Sequence, residues 1–524
     1  MMGDLLKGEG WIVLNNINKC KLMCKMNSLI ALFTIPTVGF LLIALWPNRD
    51  NFFTHKMMAL TTALLTFIES LRLWINFDYL TTDFQYLMEV KWEGGNAMPT
   101  LSNSDSISCS ESYFLFGVDG ISLLFIVLTC LLIPICLLAS WDSIKIFNRE
   151  YLLCFIGLLI ILIGVFSVLD ILGFYILFEA VLIPMFLVIG VWGARKQKIT
   201  ASYYFFFYTL VGSLLMLLSI FYIYSIAGTT DYLSLLNISF DESVQYPIFL
   251  CFFASLAVKI PKFPFHIWLP QAHVEAPVAG SVLLAGILIK LGSYGFIRFT
   301  IPLFPKACEY FAPLIFTLAV IAVIYASLTT IRQTDLKRII AYSSVGHMGT
   351  VMLSIFSLSV IGIEGSIFLQ IAHGLVSSAL FIVVTLIYER HHTRTVKYYR
   401  GLTLTMPIYS MIFLFFTLAN IAVPLSCNFV GEFLSLLAVF QVNPFIGILS
   451  CAGIILSAAY GLFLYNRVCF GEMSLYIKHS VYSRDITRRE FYVLLPLIVL
   501  TLFFGVYPQI ILDTLHTATY ALVA

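Results

Sequence analysis

Roughly fourteen apolar runs, each close to the ~20 residues that cross a bilayer, leave this chain few ways to fold. Lipid cannot satisfy backbone polar groups, so runs of this length become helices. They cover residues 29–47, 57–75, 121–140, 151–168, 171–192, 203–226, 247–270, 278–299, 312–330, 336–356, 361–388, 407–440, 446–468 and 491–506. Of the 524 residues, 60% are hydrophobic and only 11% charged. Soluble domains carry about 25% charged residues. The expected fold is an all-α polytopic membrane protein. Residues 407–440 are too long for one straight span and are expected to break.

Proline and charge divide the runs further. The fourth to eighth and the ninth to thirteenth form two similar five-helix sets. The fourth member of each set carries prolines and a charge: Lys259 with Pro261 and Pro264 in the seventh helix, Pro424 with Glu432 in the twelfth. Proline at membrane depth frees backbone carbonyls, which is tolerated only where protein or water satisfies them. A unit with an odd number of spans reverses its orientation when repeated. The pattern therefore implies two inverted repeats with broken seventh and twelfth helices and a site near the midplane. Residues 1–150 are expected to hold a polar lead-in and three helices, 151–470 the repeated core, and 471–524 a loop and the last helix.

Loop charge follows the same count. Loops after odd-numbered helices hold about 19 of the 30 Lys and Arg, those after even-numbered helices about three (Lys91, Arg298 and Lys306). Both termini are then expected opposite the basic loops, although Lys7, Lys19, Lys21 and Lys25 oppose this. Met26 is a second possible start, and the lead-in lacks the Arg/Ser-rich character of a transit peptide.

Four charges lie inside apolar runs: Glu179, Lys259, Lys290 and Glu432. A charge at the centre of a membrane helix costs about 2.5–3.5 kcal/mol, so four cost roughly 10–14 kcal/mol, as much as the net stability of a domain. Such groups face a protein-lined or wet interior and mark ion or proton paths. Glu179 follows Asp170 by nine residues, about 13 Å into the bilayer. Lysine gives up its proton readily when buried, which suits Lys259 and Lys290 to carrying one. Lys262, beside the proline break, is expected to snorkel. His266, His273, His347 and His373 add groups that titrate near neutrality and suit a relay. Ser343 and Ser344 share a face with His347, as Gln370 and Ser377 do with His373. The alternatives are structural ion pairs, a lysine reaching the interface, and packing histidines.

Other chemistry is not written in the chain. No HExxH or CxxC pairing provides a metal site; Cys20 and Cys24 stand without further ligands nearby, and His391 and His392 lie in a basic loop. There is no GxxxxGK[ST] phosphate cradle, and a net charge of +2 without a polybasic block gives no nucleic-acid footprint. Energy for uphill transport must come from a partner or an ion gradient.

Several segments resemble the antiporter-like membrane subunits of respiratory complex I. They are Leu177-Phe178-Glu179 with Pro184-Met185, the stretch from Lys259 through His266 and His273-Val-Glu-Ala-Pro to Ser281, Arg332 to Lys337, Ile340 to Met348 with its Ala-Tyr-Ser-Ser, and Ala372 to Leu380. They span most of residues 170–435. The resemblance implies fourteen helices with a ten-helix inverted-repeat core. It implies proton translocation coupled to electron transfer from NADH to ubiquinone elsewhere in a proton-translocating NADH:ubiquinone reductase. No cofactor is expected on this chain; NADH, FMN, iron–sulfur clusters and ubiquinone belong to other subunits. Expected partners are neighbouring antiporter-like chains and lipids such as cardiolipin, with no nucleic acid. By the same resemblance Glu179 pairs with Lys259, Lys290 is the centre of the channel, Glu432 leads to the exit, and His347 and His373 belong to a hydrated axis. Many relatives have glycine after the proline of the twelfth helix, where this chain has Leu425. The 46 phenylalanines and the absence of a cleavable leader favour a multi-pass protein of the mitochondrial inner membrane. The alternatives are a stand-alone Na+/H+ antiporter subunit and a plastid or bacterial relative.

Overall fold

The computed structural model describes residues 28–46, 52–91, 113–474, 476 and 484–523. The lead-in with Lys7, Lys19, Lys21, Lys25 and Met26 lies outside them. The helices run, in order, α1 Ser28–Leu45, α2 Phe52–Ile75, α3 Gly120–Ala139, α4 Asn148–Ser167, α5 Ile171–Ala180, α6 Leu182–Trp192, α7 Lys198–Ala227, α8 Tyr232–Leu236 and α9 Glu242–Lys259. They continue with α10 Trp268–Glu275, α11 Val278–Leu303, α12 Pro305–Arg332, α13 Leu336–Ile355, α14 Val360–His391, α15 Pro407–Asn420, α16 Cys427–Val442, α17 Pro444–Cys469, α18 Arg488–Val506 and α19 Gln509–Val523.

Among the described residues, eleven helical spans are long and apolar enough to cross a membrane, with α5 and α6 together forming one of them. Three of the fourteen expected spans are helical but fall outside that criterion. The seventh is split into α9 and α10, the twelfth into α15 and α16, and α13 carries Lys337, Arg338, Ser343, Ser344 and His347. The fifth span is broken as well, at Val181, a break not anticipated from the sequence. Pro184 has no amide hydrogen to return to the Ala180 carbonyl four residues earlier, so the helix parts just after Glu179.

Caps set where the spans begin. Asp119 and Ser122 form a capping box on α3, Asp170 caps α5 through the amides of Leu172 and Gly173, and Asp335 caps α13. Ser359 caps α14, and Thr487 with Glu490 boxes α18. Each side-chain oxygen satisfies an amide that the first helical turn leaves free.

Two additions accompany the spans. A small antiparallel hairpin pairs β1 (Gln85–Lys91) with β2 (Tyr113–Val118), in a region read from the sequence only as polar. Beyond the last expected span, α19 packs on α3 and α14, and its Thr514 carbonyl fills the space a side chain at Gly120 would need. His516 meets Glu364 at 2.8 Å and Thr519 donates to the same carboxylate at 3.1 Å.

The basic loops come together. Arg195 reaches Asp335 at 4.0 Å, the Leu336 amide donates to the Arg394 carbonyl, and Arg390 pairs with Glu490 at 2.6 Å. Arg298 does not belong with the loop charges. It lies inside α11, 2% exposed, in a 2.5 Å ion pair with Asp119.

Burial sorts the bundle. The most apolar stretches of α11 and α14 are wholly buried, whereas those of α7, α17 and α18 are only about a third buried. Lys290 and His373 come from α11 and α14, and Glu179, Lys259, His347 and Glu432 from helices beside them. Gly292 lets α9 approach α11: a Cβ there would stand 2.6 Å from Ile260 Cγ1 and 2.8 Å from the Leu256 carbonyl.

The break in the twelfth span holds two left-handed residues, Ala422 at φ +65° and, most strained, Leu425 at φ +76°. A left-handed backbone costs a side-chain-bearing residue about 1–2 kcal/mol. The Leu425 side chain is 66% exposed, so little packing offsets the strain. Leu425→Gly is expected to raise stability by about 0.5–1 kcal/mol after the extra chain entropy of glycine, readable as a higher unfolding temperature of the detergent-purified protein.

A buried polar chain between the broken helices

Lys290 sits on α11 between two widened, π-helical turns, Leu284–Leu288 and Phe296–Thr300. It is 0% exposed, so it does not reach the interface. Its ammonium donates to the Ala285 carbonyl and lies 3.1 Å from Nδ1 of His373 on α14. The other ring nitrogen of His373 lies 3.1 Å from Ser344 Oγ on α13. The His373 and His347 rings are 5.6 Å apart between centroids. His347 Nδ1 then meets Glu432 Oε1 on α16 at 2.8 Å. Four of the expected residues therefore form one buried series, Lys290, His373, His347 and Glu432, carried by four helices. Ser344 serves His373 rather than His347, and Gln370 accepts from Ser293 on α11.

At its far end the series borders a cavity of about 20 Å3 lined by Ser327, Ser343, His347, Thr350, Glu432 and Tyr460, among others. One water needs roughly 10–15 Å3 in this measure and two to four polar partners, and both conditions are met.

The other pair is looser. Glu179 and Lys259 act on each other through space but form no direct ion pair, contrary to the expectation. Lys259 ends α9 with its ammonium 4.2 Å from the centre of the Phe178 ring. A cation over an aromatic face gains ~2 kcal/mol or more when desolvated. Beyond Lys259 the chain unwinds. The Lys262 amide returns to the Ala257 carbonyl, and the Trp268 indole donates to the Val258 carbonyl at 2.9 Å, which clips α10 back onto α9.

Lys262 does not snorkel. It is 2% exposed, and its ammonium has no protein partner. Burial wins because the unwound segment folds inward against α9. His273 is wholly buried, stacked 4.7 Å from Phe381, with neither ring nitrogen bonded to protein. His266 lies apart from the central series, against Phe263, Tyr325 and Tyr342. Glu179 Oε1, His347 Nε2 and Gln370 Nε2 also lack protein partners. Each such buried atom costs about 1–3 kcal/mol unless water satisfies it. Polar atoms with that need are thus spread from α5 to α14. Among the described residues no cluster of three metal-binding side chains occurs.

Sequence reading missed four charged groups of this interior. Asp119 and Arg298 form the ion pair at the end of α11, and Lys337 and Arg394 are each 1% exposed at the start of α13 and in the loop after α14. Asp119 had a signal, an Asp three residues before a Ser at the start of an apolar run. The three cations read as ordinary loop charge.

Two sets of spans, each broken in its fourth member, and lysines buried at membrane depth within them define an antiporter-like membrane subunit. A family profile described as "NADH:quinone oxidoreductase/Mrp antiporter, TM" matches residues 168–457, and one described as "NADH-ubiquinone oxidoreductase chain 4, amino terminus" matches residues 96–165. The chain is 56% identical to NADH-ubiquinone oxidoreductase chain 4 of Metridium senile, over 90% of this chain and 93% of that one. It is 50% identical to the Marchantia polymorpha chain 4, over 95% and 97%, and 43% identical to NADH-quinone oxidoreductase subunit M of Rhodobacter capsulatus, over 89% and 90%. A chain in the structure of respiratory complex I from Thermus thermophilus superposes with a TM-score of 0.82 at 28% identity, covering 95% of this chain and 99% of that one. The chain belongs to the NADH-ubiquinone oxidoreductase chain 4 family, the antiporter-like membrane subunits of the proton-pumping complex.

Proposed function

We propose that this chain conducts protons across the mitochondrial inner membrane as a subunit of NADH:ubiquinone oxidoreductase. The observation that carries the reading is the buried contact series from Lys290 through His373 and His347 to Glu432. A proton enters from the side of the basic loops and is held at Glu179 and Lys259. It passes through water to Lys290. Lys290 gives it to His373, which is within hydrogen-bond reach. His347 takes it across the ring-to-ring gap by way of water, and Glu432 accepts it from His347 for release.

Charge on one member changes the proton affinity of the next, since unlike charges about 4–6 Å apart favour each other's ionised forms. An electrostatic disturbance from a neighbouring antiporter-like subunit is enough to start the transfer. Electron transfer takes place elsewhere, with NADH, FMN, iron–sulfur clusters and ubiquinone on other subunits, and lipids such as cardiolipin border the exposed apolar faces.

The test uses the whole complex in proteoliposomes. Glu432→Gln keeps the shape of the His347 contact but cannot take up a proton. Proton transfer through this path is expected to fall at least about tenfold. The chain is expected to co-purify with NADH-oxidising activity. Translocation that requires sodium, or unchanged proton uptake in Glu432→Gln, would overturn the reading.

A further inference from the structure

The short helix α10 ends at Glu275 without a glycine or a side-chain cap of its own. Its last carbonyls are nevertheless all taken, each by a different segment. Ser281 Oγ donates to the His273 carbonyl at 3.0 Å, and the Ala194 amide to that of Glu275 at 3.1 Å. The Arg394 guanidinium donates to the Val274 carbonyl, and the Lys337 ammonium to the Ala276 carbonyl at 3.1 Å. Lys337 also reaches Ser281 Oγ at 3.3 Å, joining two of these contacts.

Lys337 and Arg394 act as one body. The Leu336 amide donates to the Arg394 carbonyl at 3.0 Å, the Val396 amide to that of Thr334 at 2.9 Å, and the guanidinium lies 4.4 Å from the Tyr388 ring centre. Both belong to the second repeat, whereas α10 belongs to the first. Neither hydrogen-bonds a carboxylate, although Asp335 and Glu275 are close enough to act on both. Carbonyls at a helix C-terminus carry the negative end of its dipole, and a cation there is favoured. Fixing α10 matters because it carries His273, whose ring stacks on Phe381 and has no hydrogen bond to protein to hold it.

We propose that Lys337 and Arg394 are positioning residues of the proton path: cations of the second repeat clamp the end of α10, so that His273 keeps its place against α14, the helix that also carries His373. A shift of α13 or of the loop after α14 then moves His273, which couples the two repeats mechanically. The proposal rests on the proton-conducting reading above.

The experiment compares Arg394→Gln, Lys337→Gln, Arg394→Lys and Lys337→Arg in the assembled complex. Two quantities are read: amide hydrogen exchange over residues 268–276, and NADH-driven proton translocation. The glutamine variants are expected to exchange about fivefold to tenfold faster in that segment and to translocate several-fold less, with the Lys/Arg swaps recovering part of both. In a His273→Phe background, which keeps the stacking, Arg394→Gln is expected to cause no further loss of translocation, because both act on one group. Faster exchange with full translocation makes the clamp purely structural and overturns the proposal. So do lost translocation with unchanged exchange, and additive losses in the double variant. If glutamine blocks assembly, the two swaps carry the same comparison. Translocation indifferent to Lys290 would sink the proton-conducting reading, while the exchange result would still report on the clamp.

Discussion

Lys290→Met in the assembled complex is expected to lower proton translocation through this path by at least about tenfold, the largest functional effect of any single change here. Methionine matches the length and apolar stem of lysine, so the packing between α3, α11 and α14 survives. What disappears is the group that touches both the Ala285 carbonyl and His373. Lys290 is the member of the buried series that His373 contacts on the side away from His347 and Glu432. The measurement is the number of protons moved per NADH oxidised in sealed proteoliposomes, with NADH oxidation repeated after an uncoupler is added. Oxidation is expected to persist under uncoupled conditions, since the proposed function assigns the electron path to other subunits. Unchanged proton movement would mean that Lys290 is a packing residue. Removing it does have a structural consequence: the Ala285 carbonyl, in the widened turn, loses its donor. A check on thermal unfolding separates that loss from the loss of transfer.

Arg298→Leu is expected to produce the largest loss of stability, about 3–5 kcal/mol, because it leaves the Asp119 carboxylate buried without its counter-charge. The pair is 2.5 Å long, with side chains 3% and 7% exposed. Phe84, Tyr232 and Tyr294 surround the guanidinium, and the Tyr294 hydroxyl donates to the Phe166 carbonyl at 3.0 Å. Replacing both partners in Asp119→Leu/Arg298→Leu is expected to recover most of the loss, since two apolar side chains of matched volume often substitute for a buried pair at little cost. Thermal unfolding of the purified protein, run as a double-mutant cycle, measures the coupling; additive losses would show that the two groups act separately.

The same pair has a pH signature. Burial pushes the Asp119 carboxyl up, but the Arg298 guanidinium and the hydrogen bonds from Ser122 outweigh it and hold the carboxyl below its ordinary value. A carboxyl depressed in the folded state adds stability above the ordinary carboxylate range and loses it as pH falls through the folded value. Stability should therefore decline in acid, and Asp119→Asn should flatten that decline.

Apolar run length and proline position made the spans legible. Pro261 with Pro264, and Pro424, mark the two breaks that divide α9 from α10 and α15 from α16. The Val181 break was harder to see, because Pro184 lies in a run that still reads as one continuous span. The hairpin was hidden because β1 is short and mixed in polarity, and α19 because it is too short for a span. Among the site residues, Glu179, Lys259, Lys290 and Glu432 stood out because a charge in an apolar run is costly wherever it lies. Lys262 was misjudged on the assumption that a lysine near a helix end can reach water; the unwound segment turns it inward instead. Lys337 and Arg394 gave no signal, since a buried cation bonded to carbonyls looks in sequence like any loop charge.

By itself, the sequence determined that the chain must live in a bilayer, where most of its spans lie, that the seventh and twelfth break, and that Glu179, Lys259, Lys290 and Glu432 lie within apolar runs. These are one-dimensional properties, set by transfer free energy and by the missing amide of proline. Only the tertiary structure decided which of those groups meet. Lys290 reaches His373, and His347 reaches Glu432, while Glu179 and Lys259 stay apart, and Arg298 finds Asp119 from 179 positions away in the sequence. A helix fixes which face a side chain takes, but its neighbour across the bundle depends on how separate helices pack, and that pairing is not encoded in the spacing of residues along any one of them.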